Sequence, residues 1–222
     1  MEKIINFQAG SGKSFMYSLN QLISMKQAGF NSISYVRIGE ELHSTDMSGP
    51  DLVRSAKYAL INSHSEMGIF LDLRLVGGKK EVDRILKKYF APDMLSVSSL
   101  CSVETVRYIR RLLPMTKLVM VGMLPDITDQ ESVLRFDLLP EERMLLEYKA
   151  FKRLYAQEKE VNPEPFDLIM CSSRQARYLQ DNIDSCELMV VGRTPENNNS
   201  GYQLITMGQL IEIHKSKTGV LV

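Results

Sequence analysis

Short apolar runs alternate along the chain with segments whose apolar positions recur every three or four residues. The runs are Ile4–Phe7, Ile33–Ile38, Gly68–Leu73, Met94–Val97, Leu118–Met123, Leu168–Cys171, Leu188–Val191 and Gly219–Val222. Each predicts a β-strand, and their nearly continuous Val, Ile, Leu and Met content fits strands buried on both faces, as in a parallel sheet. Between them the period is helical: Val82, Ile85, Leu86 and Tyr89 share one face, as do Ala176, Leu179 and Ile183. Ser102, and Ser172 or Ser173, are placed to cap helices. Pro140 with Glu141 and Glu142 suits the first turn of a long helix running to about Glu160.

This alternation predicts a (β/α)8 barrel that occupies residues 1–222 as one domain. A doubly wound open sheet uses the same alternation, and periodicity does not separate the two. In both, chemistry gathers at the C-terminal ends of the strands. That rule selects Gln8, Arg37, Asp72, Arg74, Ser98, residues 122–126, Ser172 and Gly192–Pro195. In "FLDLRLVGG" an acid and a base, Asp72 and Arg74, leave the third strand on the same side just before Gly77 and Gly78.

Composition narrows the partners. Apolar residues make up 44% of the 222 positions and charged residues 24%, enough to build a sizeable core. The 27 Lys and Arg balance 27 Asp and Glu, so no basic field draws nucleic acid or an anionic membrane, and neither is an expected partner. No charged-then-apolar leader opens the chain and no apolar run nears the roughly 18 residues of a membrane span, so a soluble, cytoplasmic protein is expected. Cys101, Cys171 and Cys186 form no CxxC pair and are expected as reduced thiols. His43, His64 and His214 stand far apart without ligand spacing, so no metal site and no cofactor is expected. Lys79-Lys80 and Arg110-Arg111 read as solvated faces.

A competing motif follows the first strand. "NFQAGSGKS" matches the end of the phosphate-binding loop GxxxxGK[ST] at Gly12, Lys13 and Ser14, which would make the protein an NTPase with Asp72 as its magnesium ligand. Phe7 stands where the first glycine belongs, however, and brings a side chain where that loop needs backbone freedom. The plainer reading is a first loop leading into a helix.

From about Ser32 onward the order of local patterns resembles the orotidine 5′-phosphate decarboxylase superfamily, with its hexulose-phosphate synthase and ketogulonate-phosphate decarboxylase relatives. "SYVRIGEEL" is similar to the second-strand K-x-G of that family, and "FLDLRLVGG" to the third-strand D-x-K-x-x-D. "APDMLSVSSLCSVETVRYIRR" resembles the fourth strand and helix, and "FDLIMCSSRQARYL" the sixth. "VVGRTPENNNSGYQ" resembles the seventh-strand phosphate loop, G-I-R-P followed by G-D-Q.

The resemblance implies a dimeric (β/α)8 barrel that binds a phosphorylated nucleotide or sugar and carries out a lyase step through a carbanion. Carried over by position, Asp72 matches the first acid, Arg74 stands where the catalytic lysine is, Gly77 replaces the second acid and Arg37 replaces the second-strand lysine. Gln8 is the residue offered where the family's first strand ends in Asp. Gly192, Arg193, Thr194 and Gln203 would grip the phosphate. The chain stops at Val222, inside the assigned eighth strand, so the expectation is that the last helix and the family's Gly-Arg phosphate arm are absent from this sequence, either because the protein is truncated or because this half of the site has been lost. An arginine stays protonated to about pH 12 and is a poor proton donor, so Arg74 does not replace the lysine chemically. These departures leave a catalytically silent barrel, kept for binding or assembly, as the alternative to a decarboxylase.

Overall fold

The computed structural model describes the chain apart from residues 1, 8, 30–32, 43–45, 123–127, 158–163, 184–185, 193–200 and 219–222, and apart from the side chains of 214–218. Eight parallel strands close into a ring in chain order, each bonded to the next and the eighth to the first. The strands are β1 (Glu2–Asn6), β2 (Ile33–Gly39), β3 (Gly68–Leu75), β4 (Met94–Ser98), β5 (Lys117–Val121), β6 (Leu168–Ser172), β7 (Glu187–Val191) and β8 (Tyr202–Thr206). The helices are α1 (Gly12–Gln27), α2 (Gly49–Asn62), α3 (Lys79–Leu86), α4 (Val103–Leu112), α5 (Asp129–Phe136), α6 (Pro140–Tyr155), α7 (Ser173–Gln180) and α8 (Met207–Thr218). The closed ring decides against the open sheet.

Alternation along each strand sorts side chains between two apolar layers. Ile4, Phe70, Met94, Val119, Leu168, Met189, Tyr202 and Leu204 fill the barrel interior. Ile5, Val36, Leu71, Leu95, Met120, Ile169, Val190 and Ile205 face outward into the layer shared with the helices. Both sets are almost wholly buried, which is why the strand runs read as continuously apolar. The helices supply the matching stripes, Val82 and Leu86 from α3, Val106 and Ile109 from α4, and Ala176 and Leu179 from α7. Ser102 and Ser172 do cap their helices, accepting from Thr105 N–H and Gln175 N–H.

Four expectations are corrected. The eighth strand is Tyr202–Thr206, and Gly219–Val222 lies outside the described residues. Its sequence alternates Tyr and Leu inward with Gln and Ile outward, so it lacks the unbroken apolar run that marks the other strands. The last helix is present as α8, directly after β8. The long helix after Pro140 ends at Tyr155, and α5 precedes it in the β5–β6 connection. Arg110 is buried rather than solvated: it pairs with Asp167 at 2.8 Å and donates to the carbonyl of Pro165. Among the described residues no helix separates β7 from β8.

Candidate functional site at the C-terminal mouth

Four neighbouring strands end in polar side chains that meet. Arg37, next to last inward on β2, donates from Nε to Asp72 Oδ2 at 2.8 Å and from Nη1 to Asn6 Oδ1 at 2.9 Å across β1. It also forks onto Glu41, with Nη1 2.5 Å from Oε1 and Nη2 3.3 Å from Oε2. Gly39 makes room for that pair, since a Cβ there would run into both Glu41 and Arg37. Burial by itself lowers the basicity of the Arg37 guanidinium, but the Asp72 charge and the bonds to Glu41 and Asp72 more than offset it and hold the pKa above its ordinary value.

Asp72 is only 2% exposed. A carboxylate so placed is tolerated only when its oxygens are paired, and each one is. Oδ2 takes Arg37, and Oδ1 accepts the hydroxyl of Ser96 at 2.6 Å. The same Ser96 oxygen accepts the backbone N–H of Arg74 at 2.7 Å.

That last bond closes an irregularity in the sheet. Leu71 pairs with Leu95 and Leu75 with Val97, so β3 advances four residues where β4 advances two. The surplus is taken up around Arg74, which adopts the left-handed region at φ 44°. For a residue with a side chain this costs on the order of 1–2 kcal/mol, and such bulges commonly redirect a side chain at a site. Arg74 is consequently aimed over the mouth, its side chain 40% exposed and its Nε 3.9 Å from Asp72 Oδ1.

A cavity of about 480 Å³ opens above these residues. Arg37, Asp72 and Arg74 form its polar side, and Val121, Met144, Met170, Val191 and Leu204 its apolar side. Arg174, from the first turn of α7, closes the rim by pairing with Asp129 of α5, Nη2 to Oδ1 at 2.6 Å, and with Glu141 of α6 at 3.2 Å. The Arg174 bond holds the Asp129 carboxyl below its ordinary pKa. Cys171 also borders the cavity, but burial pushes its thiol up to about 12, which removes it as a nucleophile near neutral pH.

The structure thus brings together Arg37, Asp72 and Arg74. It does not bring Gln203 to them: that side chain lies on the outward register of β8 and donates from Nε2 to the carbonyl of Gly192 at 2.8 Å. Gly192, at φ 90°, turns the chain out of β7. Gln8, Arg193 and Thr194 lie outside the described residues, as do 123–127 of the β5 segment. No arginine follows β8 directly, the next residues being Met207, Gly208 and Gln209. Asn6, Glu41, Ser96 and the Arg174 clasp were missed. Asn6 and Ser96 carry short neutral side chains in apolar strands, and only the inward register of β1 and β4 marks them.

Two further positions explain themselves. Gly77 sits at φ 125°, a conformation that L side chains rarely adopt, so the backbone there suits glycine rather than an acid. The N-terminus of α1 is capped by Ser11, and the Gly12 N–H is taken by Asp46 Oδ1 at 2.7 Å, so an aspartate carboxylate stands where a nucleotide phosphate would have to go.

Among the described residues no group of His, Cys, Asp and Glu is arranged to hold a metal ion, and no helix is long and apolar enough to cross a membrane. No protein-family model and no curated protein matches the chain. Solved structures do. Orotidine 5′-phosphate decarboxylase from Lactobacillus acidophilus superposes with a TM-score of 0.66 at 21% identity, over 92% of this chain and 89% of that one. The orotidine 5′-monophosphate decarboxylase from Sulfolobus solfataricus gives 0.60 at 15% identity, over 98% and 99%. The 3-hexulose-6-phosphate synthase from Salmonella typhimurium gives 0.58 at 11% identity, over 96% and 91%. At such identities the likeness is one of fold, and the fold of this chain is that of the orotidine 5′-phosphate decarboxylase and hexulose-phosphate synthase barrels.

Proposed function

We propose that the barrel binds a phosphorylated nucleotide or sugar at its C-terminal mouth, with Arg74 as the group that meets the ligand's anion. The observation that carries this is the division of charge at the mouth. Arg37 is committed to Asp72, Glu41 and Asn6, and Arg174 to Asp129 and Glu141. Arg74 has one long contact with Asp72 and a side chain turned to the cavity. A guanidinium on the rim of a half-apolar cavity suits a ligand with an anionic end and a less polar body. Gly192, Arg193 and Thr194 are the proposed second contact with the phosphate.

Proton chemistry is the weak side of this mouth. Carbanion protonation needs a donor that gives up its proton near neutral pH, and both cations on β2 and β3 are arginines. Binding without turnover is therefore the reading we adopt, in a cytoplasmic protein whose three thiols are unpaired. A second copy of the chain is the proposed protein partner: Val76 and Leu100 are exposed apolar residues that line, with Arg74 and Phe136, a groove of about 330 Å³.

Thermal shift against UMP, ribose 5-phosphate and inorganic phosphate tests the binding, since a ligand at a hundred times its Kd stabilises by about 2.7 kcal/mol. Turnover of orotidine 5′-phosphate that disappears in Asp72→Asn would instead establish a decarboxylase.

A further inference from the structure

We propose that Ser96 is a positioning residue that keeps Arg74 turned toward the ligand, an inference that rests on the mouth being an anion-binding site. Ser96 is wholly buried and touches neither the cavity nor solvent. Its hydroxyl nevertheless joins the two groups that matter. It donates to Asp72 Oδ1 at 2.6 Å and accepts from the Arg74 N–H at 2.7 Å.

The first bond decides what Asp72 does with its second oxygen. Oδ2 is already taken by Arg37, so Oδ1 has two suitors, the Ser96 hydroxyl at 2.6 Å and Arg74 Nε at 3.9 Å. A buried carboxylate oxygen is not left unpaired. With Ser96 bonded to Oδ1 at 2.6 Å, that oxygen has a close partner without Arg74, whose guanidinium stays over the cavity. Without the hydroxyl, Arg74, whose Nε already lies 3.9 Å from Oδ1, would swing down into a close ion pair and withdraw from the mouth. The second bond works in the same direction, because it holds the Arg74 backbone in the left-handed turn from which the side chain projects outward.

Ser96→Ala tests this through Arg74 itself. Phenylglyoxal modification, read by mass spectrometry on the peptide that contains Arg74, should slow by about tenfold in Ser96→Ala, the scale of one hydrogen bond to a charged group. It should recover in Ser96→Thr, which retains the hydroxyl. Amide exchange at Arg74 should be slow in the wild-type protein and faster in Ser96→Ala. Unchanged modification of Arg74 in a folded Ser96→Ala protein overturns the proposal, and so does fast exchange at Arg74 in the wild type, whatever the variant's folding. UMP affinity measured alongside should fall by about tenfold in Ser96→Ala. A wild-type protein that binds neither UMP nor ribose 5-phosphate would remove the proposed function, while the modification rates would still decide the role of Ser96.

Discussion

Arg37 Nε lies 2.8 Å from Asp72 Oδ2, joining the second and third strands through an ion pair that both residues bury. Removing one partner strands the other. Arg37→Met should destabilise the fold by about 3–5 kcal/mol, while Arg37→Met combined with Asp72→Leu should cost less than the sum of the two single changes. Urea denaturation of the four proteins measures it, and strict additivity would show the pair to be uncoupled.

The turn after β3 gives a second expectation. Gly77 has φ 125°, so Gly77→Asp should lower stability by about 1–3 kcal/mol and should not create turnover of orotidine 5′-phosphate. Denaturation midpoints and an absorbance assay on the purified variant check the two halves separately.

Stability should decline in alkali for a stated reason. Burial raises Cys171 and Cys186 from 9.0 to about 12, and Tyr35 and Tyr202 from 10.0 to about 12. Between those limits the folded protein keeps protons that the unfolded chain has lost. The stabilisation is therefore full below about pH 9 and is lost as pH rises toward about 12. The thermal midpoint should fall between about pH 9 and about pH 12, and less steeply in Cys171→Ala.

The rim clasp should show in local exchange. Among its own residues α5 buries only Ser132, and Leu134 is largely exposed, so its position depends on Asp129 with Arg174 and on Phe136 beneath the Arg143 guanidinium at 3.6 Å. Arg174→Ala should speed amide exchange across Asp129–Phe136 by several-fold, on the order of one exposed charge-assisted bond, and leave the barrel strands unchanged.

Much of the barrel was legible because strands buried on both faces leave unbroken apolar runs, as in β3 and β5, and helices such as α3 repeat with a period near four. β8 escaped because Gln203 breaks its apolar run. In the site, Asp72, Arg74 and Arg37 stood out as charges ending apolar strands. What the sequence withheld was their pairing. Nothing local says that Arg37 spends its donors on Asp72, Glu41 and Asn6, since those partners come from separate strands or the following turn. Ser96 resembles any small residue of a packed strand until the β3 bulge brings the Arg74 N–H to it.

Arg74 is the proposed receiver of an anionic ligand at this mouth. Isothermal titration of UMP and ribose 5-phosphate into the wild-type protein and into Arg74→Ala tests it most directly. Saturable binding of at least one of them to the wild type, weakened by about tenfold or more in Arg74→Ala, is the expected result. Equal affinity in the two proteins, or no binding to the wild type, would contradict it.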